Sequence, residues 1–171
     1  MTGQEFLRGA ALMAATLTMG LVAGLFHAFA MSVMPGLGRA DDRTFVVAMG
    51  RINVAILNGW FAVTFGGALL LTALAVLAHL GGGARPALPW IVAALLLYAV
   101  MLAVTFGVNV PLNNALAAVG EPGSLGAAEL AEVRERFEAR WVRWNVVRAV
   151  AATAGFGCLA WALVLHGRGL G

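Results

Sequence analysis

Residues 86–120 read PALPWIVAALLLYAVMLAVTFGVNVPLNNALAAVG, without one charged side chain. A helix of about 20 such residues already crosses a hydrocarbon core about 30 Å thick. Three other stretches are equally free of charge, 9–38, 52–84 and 149–167. None alternates with period two, and in lipid only helices and closed barrels satisfy their own backbone. The reading that follows is an all-α, integral membrane four-helix bundle. It forms a single domain over residues 1–171, with helices at about 9–34, 52–79, 88–117 and 142–166.

Composition agrees with a membrane protein and excludes an ordinary soluble globule. Of the 171 residues, 61% are hydrophobic and 11% charged, against a usual charged share of about 25%. The net charge of +3 comes from 11 arginines and no lysine. These arginines border the apolar spans instead of sharing one soluble face, so no nucleic-acid partner is expected. Cys158 is the lone cysteine, which excludes an internal disulfide and a cysteine-built zinc site. The Arg8, apolar run and Ala28-Phe29-Ala30 order resembles a secretory leader, but the run is longer than a leader core and continues to Met34.

Between the spans, Asp41 and Asp42 begin a segment with Phe45, Met49 and Ile52 on one stripe. Ser124 begins another with Leu130, Val133, Phe137 and Trp141 in line. Both read as short amphipathic helices at the membrane surface. The segment Gly81-Gly82-Gly83-Ala84-Arg85-Pro86 reads as a tight turn between helices 2 and 3.

The two halves share an order: span, proline exit at Pro35 or Pro111, surface helix, then Arg51-Ile52-Asn53-Val54 or Arg143-Trp144-Asn145-Val146. This predicts two similar hairpins about a pseudo-twofold axis, with Asn53 and Asn145 as mates. Seven arginines (39, 43, 51, 134, 136, 140 and 143) fall in the 1-2 and 3-4 connections, and only Arg8, Arg85 and Arg168 on the other side. The positive-inside rule then places both connections in the cytoplasm and both termini outside; a bacterial inner (plasma) membrane is the expected location. Gly20-x-x-x-Gly24 offers a close-packing face within one chain or in a homo-oligomer.

Polar residues inside apolar spans carry the functional signal. Four stripes are expected to face the bundle interior: Gly20, Gly24, His27, Met31; Asn53, Leu57, Trp60, Thr64; Tyr98, Leu102, Thr105, Asn109, leading to Asn113; and Trp141, Asn145, Arg148, Ala152. At about 1.5 Å per residue their polar members reach the same half of the bundle. One polar pocket is predicted there, walled by Phe26, Trp60, Trp144 and Met31 and roofed by the surface helices.

The run Gly24-Leu25-Phe26 to Ser32-Val33-Met34-Pro35-Gly36-Leu37, then Arg51-Ile52-Asn53, Val110-Pro111-Leu112-Asn113-Asn114 and Arg140-Trp141-Val142-Arg143-Trp144-Asn145-Val146-Val147-Arg148, resembles the anthrone oxygenase-like family of small four-helix membrane proteins. The most specific parts are P-L-N-N and W-x-x-W-N-x-x-R. The resemblance implies oxidation of an anthrone or similar polycyclic phenolic to a quinone by O2, with no metal or other cofactor. It points to Asn53, Pro111, Asn113, Asn114, Trp144, Asn145 and Arg148.

Such chemistry needs a base, an oxyanion partner and a dry planar slot. The expectation assigns His27 as base, Arg148 with Asn145 or Asn113 to the oxyanion, and Trp60 and Trp144 to ring stacking. Asn53, Asn109 and Asn114 complete the expected substrate contacts. The expected partners are the lipid bilayer, a hydrophobic aromatic small molecule and O2. The competing readings are a non-catalytic transporter or partner scaffold, and a haem- or quinone-binding oxidoreductase using His27 as a ligand.

Overall fold

The computed structural model describes residues 2–81 and 86–169, so most of the expected 81–86 turn, with Arg85, lies outside the described residues. Among the described residues seven α-helices follow in order: α1 Gly3–Ala28, α2 Met34–Leu37, α3 Asp42–Ala55, α4 Gly59–His79, α5 Leu88–Val104, α6 Val110–Ala117 and α7 Ala127–Arg168. No strand occurs among the described residues. Four continuous helical stretches are long and apolar enough to span a membrane, Gly3–Leu37, Gly59–His79, Leu88–Ala117 and Ala127–Arg168. The chain is an integral membrane four-helix bundle.

Helices α1 and α5 each end in one π-helical stretch, Phe29–Val33 and Thr105–Asn109, that leads straight into a proline-containing helix. Proline has no amide hydrogen, and its ring collides with the carbonyl four residues back. For Pro35 that carbonyl belongs to Met31 and for Pro111 to Gly107, each inside its π segment. The widened turn absorbs the conflict without ending the helix. The same device at the same place in both halves is the strongest structural sign of two similar hairpins.

The halves differ at the next step. Helix 2 does not begin near residue 52: α3 ends at Ala55 and α4 starts at Gly59. Asn58 makes the break, its Nδ2 donating to the Ala55 carbonyl (2.8 Å) while its Oδ1 accepts from the Phe61 amide (3.0 Å). One side chain thus satisfies the end of one helix and the start of the next. In the second half no such residue intervenes, and α7 runs 42 residues unbroken, about 63 Å at 1.5 Å per residue. Its first turns therefore project beyond any hydrocarbon core. Ser124 is not their cap: its hydroxyl donates to Glu121 O, and the Gly126 amide at the helix start donates to Glu129 Oε2 (2.8 Å).

The amphipathic segments pack on each other. Their apolar stripes face each other, burying Phe45, Val46 and Met49 of α3 against Leu130, Phe137 and Trp141 of α7, with Met34 and Leu116. They form a cap with its own small core. Two arginines tie it down. Arg134 donates to the carbonyls of Gly38 and Ala40 (both 2.8 Å) and pairs with Asp42 (3.0 Å) and Glu138 (2.6 Å). Arg43 donates to the carbonyls of Pro122 (2.5 Å) and Leu125 (2.9 Å). Asp41 caps α3, and its bonds from the Thr44 hydroxyl and amide hold its carboxyl below the usual range. That contribution to α3 is complete at neutral pH and is lost as pH falls through the lowered value.

Within the bundle, α1 packs along both α4 and α7, and α7 along α5, whereas α4 and α5 touch much more sparingly. Small residues allow the close approaches: Ala15, Ala68, Ala75, Ala94, Ala152 and Ala162 are fully buried. A side chain at Gly155 would meet the Ala94 carbonyl and Met19. Buried hydroxyls bond back along their own helices, as in Thr16 to Leu12 O (2.7 Å) and Thr72 to Ala68 O (2.6 Å). Leu17, Leu21, Leu70, Leu74, Leu96 and Val150 point outward, an apolar belt that only lipid can cover. Ala152→Leu is expected to overpack the bundle by about 1–3 kcal/mol, read as a lower melting temperature in detergent.

Candidate active site

The expected inward faces divide by helix. Tyr98, Thr105 and Asn109 are buried, as are Trp141, Asn145, Arg148 and Ala152. On α1 the buried face is instead Leu12, Ala15, Met19, Val22 and Phe26. Gly24, His27 and Met31 lie on the outside, and no neighbour approaches Gly24. On α4 the buried residues are Ala68, Thr72, Ala75 and His79, while Trp60 is 86% exposed. Beyond the break at Asn58, Trp60 faces away from the bundle.

Just inside the cap lies a cavity of about 380 Å³, a size suited to a small molecule. Phe26 and Phe29 of the first hairpin, Phe61 and Phe65 of α4, and Phe106 and Trp141 of the second hairpin give it aromatic walls. Its polar wall atoms come from Asn53, Thr105, Asn113, Asn114, Asn145 and Arg148. Both π segments reach it, through Phe29 and through Thr105 and Phe106. The proline-driven widening therefore shapes the cavity wall.

Arg148 is 6% exposed and has no carboxylate partner among the described residues. Its guanidinium donates to Asn145 Oδ1 (2.9 Å) and lies 4.4 Å from the Phe26 ring centre and 5.2 Å from that of Trp141. Its Nε has no partner. Asn145 Nδ2 in turn donates to the Phe26 carbonyl (3.1 Å), fixing the amide so that its oxygen faces the arginine. Trp141 Nε1 donates to Asn113 Oδ1 (2.9 Å). Trp141, Asn145 and Arg148 recur at helical spacing on one face of α7, which makes the three a single constellation. The pattern marks a cation held in aromatic walls without its counter-ion.

Other expected residues take different places. Asn53 reaches the cavity from α3 with its Nδ2 buried and unpartnered, and Asn114 is exposed at its edge. Asn109 is fully buried behind the wall, its Nδ2 donating to Trp141 O (3.3 Å). Trp144 is half-buried beside Arg143 and is not on the wall. Trp60, Met31 and His27 are not on it either, so the residues expected to stack, Trp60 and Trp144, and the expected base, His27, do not line this cavity. An imidazole is amphipathic and tolerates the lipid interface, so polarity alone misplaced His27. The sequence reading also passed over Phe61, Phe65 and Phe106, which in an all-apolar span carry no distinguishing signal.

At the opposite end, His79 and His166 are buried with ring centres 5.3 Å apart in edge contact. Arg8 reaches the carbonyls of Ala78 and Gly81 beside them. Rings in edge contact leave no slot for a haem between them. No group of three or more His, Cys, Asp or Glu suited to a metal ion occurs among the described residues.

No curated protein and no solved structure matches the chain. The family model described as anthrone oxygenase matches residues 57–158, from the α3–α4 break into α7, and so includes Asn113, Trp141, Asn145 and Arg148 but not Asn53. That match spans more than half of the sequence, and the chain therefore belongs to the anthrone oxygenase family.

Proposed function

We propose that the protein oxidises an anthrone, or a similar polycyclic phenolic ketone, to a quinone with O2 and without a cofactor. The observation that carries the reading is Arg148, a buried guanidinium on the cavity wall with no acidic partner among the described residues. A developing oxyanion is the counter-charge such a site lacks, and a preorganised cation in an apolar surround favours the charged form strongly.

The chemistry balances with O2 alone. An anthrone CH2 loses a proton to give an aromatic anion whose charge sits on the far oxygen, against Arg148 with Asn145 holding the guanidinium. The electron-rich carbon passes one electron to O2, and the two radicals join as a carbon-bound peroxide. The peroxide anion takes back a proton from water, and loss of the second C–H proton then breaks the O–O bond, leaving the new carbonyl and a hydroxide that combines with that proton as water. One O2 is consumed per quinone, with one oxygen atom in each product. The wall residues include no carboxylate or imidazole, so the first proton passes to water and the protein acts by stabilising the anion. His27→Phe is expected to leave turnover at the wild-type level. A large loss would restore a catalytic part to His27.

The ring system is sandwiched by Phe26, Phe29, Phe61 and Trp141. Asn53 Nδ2, free of any other partner, donates to an oxygen on the substrate's edge. Asn53→Ala is expected to raise KM several-fold, about 1 kcal/mol of lost hydrogen bonding, with kcat little changed. The far half of the bundle, packed through Ala68, Thr72, Ala75 and Ala94, favours a one-sided reaction chamber over a conducting path. The arginine balance supports a cytoplasmic cap and an inner-membrane location. The test is paired oxygen-electrode and absorbance recording on purified protein: equal O2 uptake and quinone formation are expected, and quinone formation no faster than without protein would reject the reading.

A further inference from the structure

We infer that the cavity receives its ligand sideways from the bilayer, through a gap between the cap-side half of α4 and the π segment after α5. The inference rests on the reading of the cavity as a site for an apolar ring system.

Three features meet at that gap. Every buried residue of α4 lies in its far half, from Ala68 to His79, and none lies between Gly59 and Gly67. The first turns of α4, Gly59 to Thr64, are exposed or half-buried, and the Tyr98 hydroxyl bond to Phe65 O (2.6 Å) ties α4 to α5 directly after them. Val54, Leu57 and Phe106 line the cavity and yet are 73%, 78% and 62% exposed. They belong at once to the wall and to the apolar outer surface that lipid covers, so cavity and bilayer are continuous through them. The axial route is roofed, because α3 lies over the cavity with Gly50, Ile52 and Asn53 on its wall while Phe45 and Met49 lock it to α7.

The mouth has a height as well as a direction. Trp60 stands exposed beside it, the usual position of an indole at the boundary of headgroups and hydrocarbon. Asn58 and Asn114 are exposed, and Leu57, Phe61 and Phe106 line the mouth with apolar surface. No charged residue other than Arg148 lies on the wall. The gap therefore admits a flat, uncharged, lipid-dissolved molecule that enters ring-first or oxygen-first toward Arg148, and it disfavours a hydrated ion or a conjugate bearing a charged group.

Two measurements on the full chain in phosphatidylcholine vesicles test this. Leu57→Cys and Phe106→Cys, each in a Cys158→Ser background, are labelled with a nitrobenzoxadiazole fluorophore. Quenching by doxyl-labelled lipid and insensitivity to aqueous iodide are expected; iodide quenching without lipid quenching would overturn the inference. In the second, Leu57→Trp narrows the mouth, and 9,10-anthraquinone serves as the probe. Its association and dissociation rates are expected to fall by the same factor, leaving Kd unchanged. A changed Kd at an unchanged association rate would make Leu57 a contact and not a gate. Failure of the probe to bind the unmodified protein would count against the functional reading, while the quenching pattern still decides where the mouth opens.

Discussion

Replacing Arg148 by alanine is expected to lower kcat by about 10²–10³-fold while changing KM little, the pattern of an interaction made in the transition state and not in the ground state. The neutral ketone gains little from the guanidinium, whereas the anion formed when its CH2 loses a proton gains a full counter-charge in an apolar surround. Arg148→Lys keeps the charge but loses the planar fork that donates to Asn145 Oδ1 (2.9 Å) and to the substrate together. It should recover only part of the rate. Because Arg148 has no carboxylate partner among the described residues, its removal breaks no ion pair; the loss of its bond to Asn145 Oδ1 and the relief of a buried charge oppose each other, so the melting temperature should change little. Steady-state kinetics beside a melting curve check both points. Equal losses in kcat and substrate affinity, or a collapsed fold, would contradict the assigned role.

The largest effect on stability is expected at Arg134. Its guanidinium, 15% exposed, holds the carbonyls of Gly38 and Ala40, the carboxylates of Asp42 and Glu138, and the face of Phe45 at 4.7 Å. Alanine there leaves several of these groups without partners and loosens the α2–α3 turn from α7. After allowance for the partly solvated carboxylates, the cost is about 2–4 kcal/mol. Lysine, with one ammonium, cannot span the same acceptors. The expected readout is a lower melting temperature in detergent and faster proteolysis between Gly38 and Asp42. Since α3 roofs the cavity, turnover should fall with the cap, and an unchanged melting temperature would show that the cap holds without this clamp.

Much of this architecture is legible in the sequence, because four charge-free spans leave a lipid-embedded chain few alternatives. The proline exits, the Asp41 cap and the Trp141, Asn145, Arg148 face of α7 are readable for the same reason: each is a local rule with one physical cause. What sequence reasoning misplaced has causes as definite. The helix break at Asn58-Gly59 was hidden inside an apolar run, although Asn-Gly is itself a turn signal. The amphipathic stripes of Phe45 and Met49 and of Leu130 and Phe137 could bury themselves in lipid or in each other, and pattern alone does not choose. On α1, lipid and bundle interior are equally apolar, so polarity selected His27 where the small residues Ala15 and Ala23 and the long side chain of Met19 mark the packed face. The same blindness hid the aromatic wall of the cavity, since Phe65 and Phe106 differ in no local way from the lipid-facing aromatics.

The central claim is that a cofactor-free membrane site accelerates the reaction of a polycyclic enolate with O2. The most direct measurement is the rate of quinone formation from a hydroxylated anthrone by the purified protein in mild detergent, against spontaneous oxidation and against Arg148→Ala. Turnover far above the spontaneous rate, dependent on O2 and lost in the variant, is the predicted result. A rate equal to spontaneous oxidation, or one that the variant retains in full, would contradict the account.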